Sequence, residues 1–280
     1  MKCPLNISRS VLNIGIEHPI RLLHITDSHL TCHDAGLDSG RAELFSKEYN
    51  GDHVDYFIEA VEYAKANGLT VLHTGDLMDF VSDENLALLK KSFSDVEYLY
   101  VMGNHDFCMC AGEPSESYEM KKARAEKTAP YSSTNAYFDH KTVGGVNFVS
   151  LSNVDYRISE EQLALIEKET EKGLPIVLLM HIPFFTPEHA DAVLATGLPC
   201  AYISCASQEY LSRYSEADRK SQEPDAQTLK ALEYIRSAPL IKAVIAGHTH
   251  VNREEDIGNG VIQIATAACY AGYVREITIV

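Results

Sequence analysis

The ten residues TVLHTGDLMD, Thr70 to Asp79, decide the fold. Thr70–Thr74 is a short apolar and β-branched run, the composition of a buried strand. It stops at Gly75, and carboxylates stand at Asp76 and Asp79, so a strand feeds directly into ligand-type residues. Upstream, Asp52–Asn67 sets Val54, Phe57, Ile58, Val61 and Ala64 on one helical face, and Asn67-Gly68 supplies a C-terminal stop. Downstream, Ser82–Phe93 reads as a second helix, with Ser82 as N-cap and Leu86, Leu89 and Phe93 facing inward. The rhythm extends in both directions. Arg21–Thr26, Tyr98–Met102, Val146–Leu151, Ile176–Met180, Ile241–Ala246, Val261–Ala265 and Arg275–Val280 read as strands, and Ser159-Glu160-Glu161-Gln162 as a capping box that opens a helix to about Glu171. Strands alternating with helices predict an α/β domain.

Composition limits what such a domain can do. The chain has 280 residues, 40 acidic and 24 basic, for a formal net charge of −16. That balance argues against a nucleic-acid duplex or a membrane as partner, since both need positive surface. No apolar run approaches the length of a membrane span, and the first residues show no signal-peptide pattern, so a cytoplasmic protein is expected. Seven cysteines without a Cys-x-x-Cys pair read as free thiols in a reducing compartment.

The chemistry lies at the carboxyl end of each strand. Arg21–Thr26 runs into Asp27-Ser28-His29, and Thr70–Thr74 into Gly75-Asp76-x-x-Asp79. Tyr98–Met102 runs into Gly103-Asn104-His105-Asp106, Ile176–Met180 into His181, and Ile241–Ala246 into Gly247-His248-Thr249-His250. In open α/β sheets ligands bind at these strand ends, so five segments distant in sequence converge on one rim. Carboxylate, imidazole and amide donors suit borderline and hard divalent cations better than a thiolate site would. Seven such donors exceed one tetrahedral ion but suit two ions that share a carboxylate. Glycine before Asp76, Asn104 and His248 fits a tight turn close to a bound group.

Taken in order, Asp27-x-His29, Gly75-Asp76-x-x-Asp79, Gly103-Asn104-His105-Asp106, His181 and Gly247-His248-x-His250 resemble the motif series of the calcineurin-like metallophosphoesterases. The resemblance implies an αββα four-layer sandwich with two metal ions, manganese, iron or zinc, at the strand ends. It implies that Asp27, His29, Asp76 and His250 hold one ion. Asp76, Asn104, His181 and His248 hold the other, with Asp76 bridging. His105 would stabilise or protonate the leaving-group oxygen, and Asp106 would orient His105. The implied activity is hydrolysis of a phosphate mono- or diester of a small molecule or nucleotide by a hydroxide that bridges the metals. The alternative is a non-catalytic interaction module that keeps the fold. Phosphoprotein phosphatases of this superfamily carry Arg soon after the second motif and Glu after Gly-Asn-His. Phe80 and Asp106 stand there instead, which argues against that branch.

The remaining chemistry-bearing residues receive plainer expectations. The chain reads as a single domain, residues 1–280, with insertions at about 107–136 and 184–239. Asp79 fits a helix-start or hydrogen-bonding role as well as that of a residue that supports the groups around the metals from behind. His24 and His73 lie inside strands and are expected in the core, whereas His18, His53, His140 and His189 are expected at the surface. His33 comes soon after the first motif and could line a pocket. Loops around a rigid rim set specificity, so Tyr156, Arg157, Phe184, Phe185, Tyr202, Tyr210, Arg213 and Tyr214 are candidate contacts to the substrate's leaving group.

Overall fold

The structure is a computed structural model that describes residues 3–32, 43, 44, 46, 47, 49, 51–108 and 137–280. Two mixed sheets face each other. The first has the order β1 (Asn6–Leu12), β11 (Tyr273–Ile279), β2 (Ile20–Ile25), β3 (Thr70–His73), β4 (Tyr98–Tyr100). The second has the order β5 (Phe138–Val143), β6 (Val146–Leu151), β7 (Ile176–Leu179), β8 (Ile241–Ala246), β10 (Ile262–Ala265), β9 (Arg253–Asp256). β2, β3 and β4 run parallel, as do β6, β7, β8 and β10, so the carboxyl ends of each parallel set emerge together.

The side-chain period of two builds the layers. Leu22, Leu72 and Leu99 of the first sheet meet Val177, Leu179, Ala243 and Ile245 of the second in a core between the sheets. Their neighbours Leu23, Ile25 and Val71 point outward onto α1 (His53–Asn67) and α2 (Asp83–Ser92), through Phe57, Val61 and Leu86. On the far side, Val149, Leu178 and Val244 pack against α3 (Glu160–Thr170), whose capping box at Ser159 and Gln162 forms as its sequence predicts. The order helix, sheet, sheet, helix is the αββα sandwich.

Between β7 and β8 the chain forms α4 (Pro187–Leu194), α5 (Gln208–Leu211), α6 (Glu216–Gln222) and α7 (Ala226–Ser237). Ala231, Leu232 and Ile235 of α7 join the outer core of the second sheet. Ala190, Val193, Ala201, Ile203 and Leu211 instead form a small core of their own. The segment predicted as one insertion thus divides into a crossover helix and a separately packed lobe. Most of the other predicted insertion, residues 109–136, lies outside the described residues, as does His33.

Two histidine expectations are corrected. His53 and His189 are buried, not superficial. His53 sits against Thr31 at 2.9 Å. His189 bridges Glu255 at 2.8 Å and Thr249 at 2.9 Å, so its polarity is satisfied by partners remote in sequence. His24 and His73 are buried as expected, and the six described cysteines are free.

Candidate metal centre and its cavity

The five strand ends meet at one place, and hydrogen bonds between them show how. Beyond the sheet, the first two motifs continue to pair: Asp27 N–H donates to Gly75 O at 3.0 Å, His29 N–H to Asp76 O at 2.9 Å and Leu30 N–H to Leu77 O at 3.0 Å. The turns are tight. Asp27, His29, Asp76, His248 and His250 all have φ between 46° and 65°, the left-handed region. Each such residue costs about 1 kcal/mol or more, and clusters of this kind mark functional sites. The glycines are needed because motif presses on motif. A Cβ on Gly75 would lie 2.5 Å from Gly103 N and 2.6 Å from His181 Nδ1, and one on Gly247 would collide with Thr26. Close approach between neighbouring turns is what holds these positions to glycine.

Each carboxylate is anchored by one oxygen and turns the other inward. Asp76 Oδ1 accepts the His105 N–H at 2.8 Å, while Oδ2 faces His181 Nε2 at 3.2 Å and His29 Nε2 at 3.7 Å. Asp27 Oδ2 accepts from His248 N–H at 2.9 Å and Thr26 Oγ1 at 2.7 Å, while Oδ1 faces His250 Nε2 at 3.2 Å and His29 Nε2 at 3.9 Å. The imidazoles obey the same rule. His181 Nδ1–H donates to Thr74 O at 2.7 Å, His29 Nδ1 meets Asp79 Oδ1 at 3.3 Å, and His250 Nδ1 meets the Tyr270 hydroxyl at 3.2 Å. His248 holds the Tyr156 hydroxyl with Nε2 at 3.3 Å and turns Nδ1 to His181 Nε2 at 3.1 Å. Asn104 Oδ1 lies 3.1 Å from the same His181 Nε2.

All seven sequence-predicted ligands, Asp27, His29, Asp76, Asn104, His181, His248 and His250, are therefore brought together. Asp27, His29 and His250 form one group with a donor atom each inside 4.8 Å of the others, Asp76, His181 and His248 form another, and a third joins His29 and Asp76 to His105. The donor set fits a cation. Asp27 Oδ1 and His29 Nε2 are buried without a hydrogen-bond partner, and a buried polar atom is left unpaired only at a cost that a bound ion would remove. Burial by itself would raise the Asp76 pKa, yet His181, His105 and His29 hold it well below the usual carboxylate range. Burial opposes charge on His181 as well, but the Asp76 carboxylate raises it to about 9. The centre thus concentrates negative charge on two carboxylates among imidazole nitrogens, an N/O set suited to borderline cations.

The residue that orients His105 is not the predicted one. Asp106 accepts backbone N–H groups from Met78 at 2.9 Å and Gly103 at 2.7 Å, tying the second motif to the third. Its carboxylate oxygens are engaged by the turn, and the imidazole nitrogen pairs elsewhere. Asp79 takes that part, with Oδ1 at 2.9 Å from His105 Nδ1, and the Tyr49 hydroxyl donates to the same oxygen at 2.8 Å. Burial would lower the His105 pKa, but Asp76 and Asp79 raise it to about 9.

A cavity of about 780 Å³ opens over the centre, lined by His29, Asp76, Asn104, His105, His248 and His250. Its remaining walls come from Tyr49, Val193, Thr196, Leu198, Tyr202, Thr249 and Tyr270. Of the predicted leaving-group contacts, Tyr202 lines it and Tyr156 touches His248. The others are used elsewhere. Phe184 is core, Phe185 packs edge-on to Tyr210 with centroids 5.0 Å apart, and Tyr214 receives the Ala201 N–H at 3.1 Å. Arg213 pairs with Glu209 at 2.6 Å, and Arg157 with Asp225 at 3.7 Å. Val193, Leu198 and Tyr49 carried no sequence signal, because neither a motif nor a strand end precedes them. Tyr270 lies just beyond β10, a strand end that could have been scanned like the others.

Comparison with known proteins accords with this geometry. The sequence profile of the calcineurin-like phosphoesterases matches residues 20–252. No curated protein matches the chain significantly. A dimetal phosphatase from Danio rerio has a similar fold, with 15% identity, TM-score 0.54, 90% of this chain and 88% of that one covered. A putative 5′-nucleotidase from Staphylococcus aureus aligns with 12% identity and TM-score 0.45, covering 90% of this chain and 49% of that one. The phosphopantetheinyl hydrolase of Mycobacterium tuberculosis aligns with 13% identity and TM-score 0.44, covering 89% and 90%. Among the described residues no helix is long and apolar enough to cross a membrane.

Proposed function

The chain belongs to the calcineurin-like phosphoesterase family, and we propose that it is a metal-dependent hydrolase of small-molecule phosphate esters, with His105 as the acid that meets the leaving group. One observation carries the reading: seven donors from five strand ends converge with two buried atoms unpaired, directly beside an imidazole held by a carboxylate. Asp27, His29, Asp76 and His250 would hold one ion, and Asp76, Asn104, His181 and His248 the second. When bound, two such ions supply charge neutralisation for phosphoryl oxygens and a nucleophile at neutral pH.

The chain's own residues do the rest. Asp79 holds the Nδ1–H of His105, which fixes the ring and leaves Nε2 for the substrate. In its protonated form His105 gives that Nε2 proton to the departing oxygen as the phosphorus–oxygen bond breaks, so no free alkoxide has to form. His105 lines the cavity beside Asn104 and Asp76, so the proton donor lies within the substrate's reach. Tyr156 and Tyr270 fix the ring orientations of His248 and His250.

Protein loaded with manganese, iron or zinc is expected to hydrolyse para-nitrophenyl phosphate or its bis ester, and metal-stripped protein is not. Protein that takes up no metal and hydrolyses neither would favour the non-catalytic module. Replacing Asp79 by Asn is expected to cut kcat about 10- to 100-fold, because the carboxylate that orients and charges His105 is lost. The Asp106→Asn change should leave the pH–rate profile of that step in place. If Asp106→Asn shifts the profile and Asp79→Asn does not, the assignment of Asp79 is wrong.

A further inference from the structure

The part of the cavity wall that carries no metal ligand has a chemistry of its own. Val193 stands at the end of α4, Thr196 and Leu198 come in the next turn, and Tyr202 sits edge-on to His248 with centroids 6.3 Å apart. Leu198 is 43% exposed, a large aliphatic side chain left uncovered at the mouth of a polar centre. Among the described lining residues there is no Lys or Arg, and the one carboxylate is Asp76 at the centre itself. Val193, Thr196, Leu198 and Tyr202 offer a second phosphate or a carboxylate no cation, whereas they offer an apolar group a surface to bury against.

Val193 of this wall is also fixed in place. Val193 belongs to the small core with Ala190, Ala201, Ile203 and Leu211. One helical turn before it, buried His189 joins Glu255 at 2.8 Å and Thr249 at 2.9 Å, and Thr249 lies between His248 and His250. Thr186 caps α4 by accepting the His189 N–H at 3.1 Å and donates to Glu255 at 2.8 Å. Val193 is thus packed in a helix joined to the ligand-bearing turn, which preforms the part of the cavity it lines.

We infer that Val193, Thr196, Leu198 and Tyr202 form the leaving-group subsite, and that the substrate is a phosphate ester whose leaving group presents an apolar or aromatic face. This rests on the phosphoesterase reading and narrows it. Burial of that face against Leu198 and Val193 supplies the discrimination, while the single phosphoryl group takes up the charge of the centre.

Calorimetry on the manganese-loaded protein with non-hydrolysable phosphonates tests it. Phenylpropylphosphonate is expected to bind about tenfold or more tightly than hydroxypropylphosphonate, and phosphonobutanoate most weakly. Leu198→Ser, at an exposed position that folding tolerates, should remove most of the preference and leave metal content unchanged. Equal binding of the three, tighter binding of phosphonobutanoate, no binding at all, or an unaltered preference in Leu198→Ser would each overturn the subsite. Hydrolysis of para-nitrophenyl esters by the same preparation reports separately on the underlying activity. Turnover without phosphonate preference removes only the subsite, and selective binding without turnover removes the phosphoesterase reading.

Discussion

Replacing Asp76 by Asn is expected to lower hydrolysis by about three orders of magnitude or more, the scale of losing a principal transition-state stabilising group. Metal content should fall at the same time, because Asp76 contributes to two of the three donor groups and is the carboxylate shared between the proposed ion sites. The fold should survive. Asp76 Oδ1 accepts the His105 N–H at 2.8 Å, and an amide oxygen can take that bond over. Without metal, Asp76 is held ionised by His181, His105 and His29, so the metal-free variant loses that pairing and should unfold at a lower temperature than the metal-free parent. Elemental analysis and thermal unfolding, each with and without added manganese, check both halves. Retained metal together with retained turnover would sink the shared-carboxylate centre.

The second large effect is at His105. Replacement by Gln should cut turnover by roughly 10²- to 10⁴-fold, the usual contribution of a positioned acid. The loss should be greatest for esters with basic leaving groups and smallest for nitrophenyl esters, whose oxygen departs without a proton. Metal content should not change, since His105 Nδ1 is engaged by Asp79 at 2.9 Å. That point discriminates, because His105 also lies within donor distance of His29 and Asp76. A fall in bound metal would make His105 a ligand and remove its acid role. An equal loss across all leaving groups would leave it as a group that only binds the phosphoryl oxygens.

Both predictions concern residues that are visible in the sequence, and the reason is physical. A strand that ends in Gly-Asp or Gly-Asn-His announces itself locally, since the turn must be tight and the donors must project from the same rim. The buried strands β2, β3, β6, β7 and β8 are legible because their inward and outward faces are both apolar. The edge strands β1, β5 and β9 are not. β9 is Arg253-Glu254-Glu255-Asp256, with no hydrophobic pattern, and it is a strand because it pairs antiparallel with β10.

Partner choice among polar side chains is equally hidden. Asp79 and Asp106 are both carboxylates next to motif residues, and adjacency favours Asp106 for His105. The folded chain gives Asp106 to the backbone of Met78 and Gly103 and gives Asp79 to the imidazole. His189 has the surroundings of a surface residue in sequence, until Glu255 and Thr249, about sixty positions away, close around it.

The sequence by itself pointed to an α/β chain and to the order of its motifs, because periodicity and strand-end chemistry are local properties, while the choice of the seven donors came from the resemblance of those motifs to a family's series. Tertiary structure alone decided which carboxylate serves which histidine, which tyrosines reach the cavity, and that Val193 and Leu198 line the same cavity as the metal ligands. Those outcomes depend on distances between segments, and distances are fixed only when the two sheets and the α4 lobe pack together.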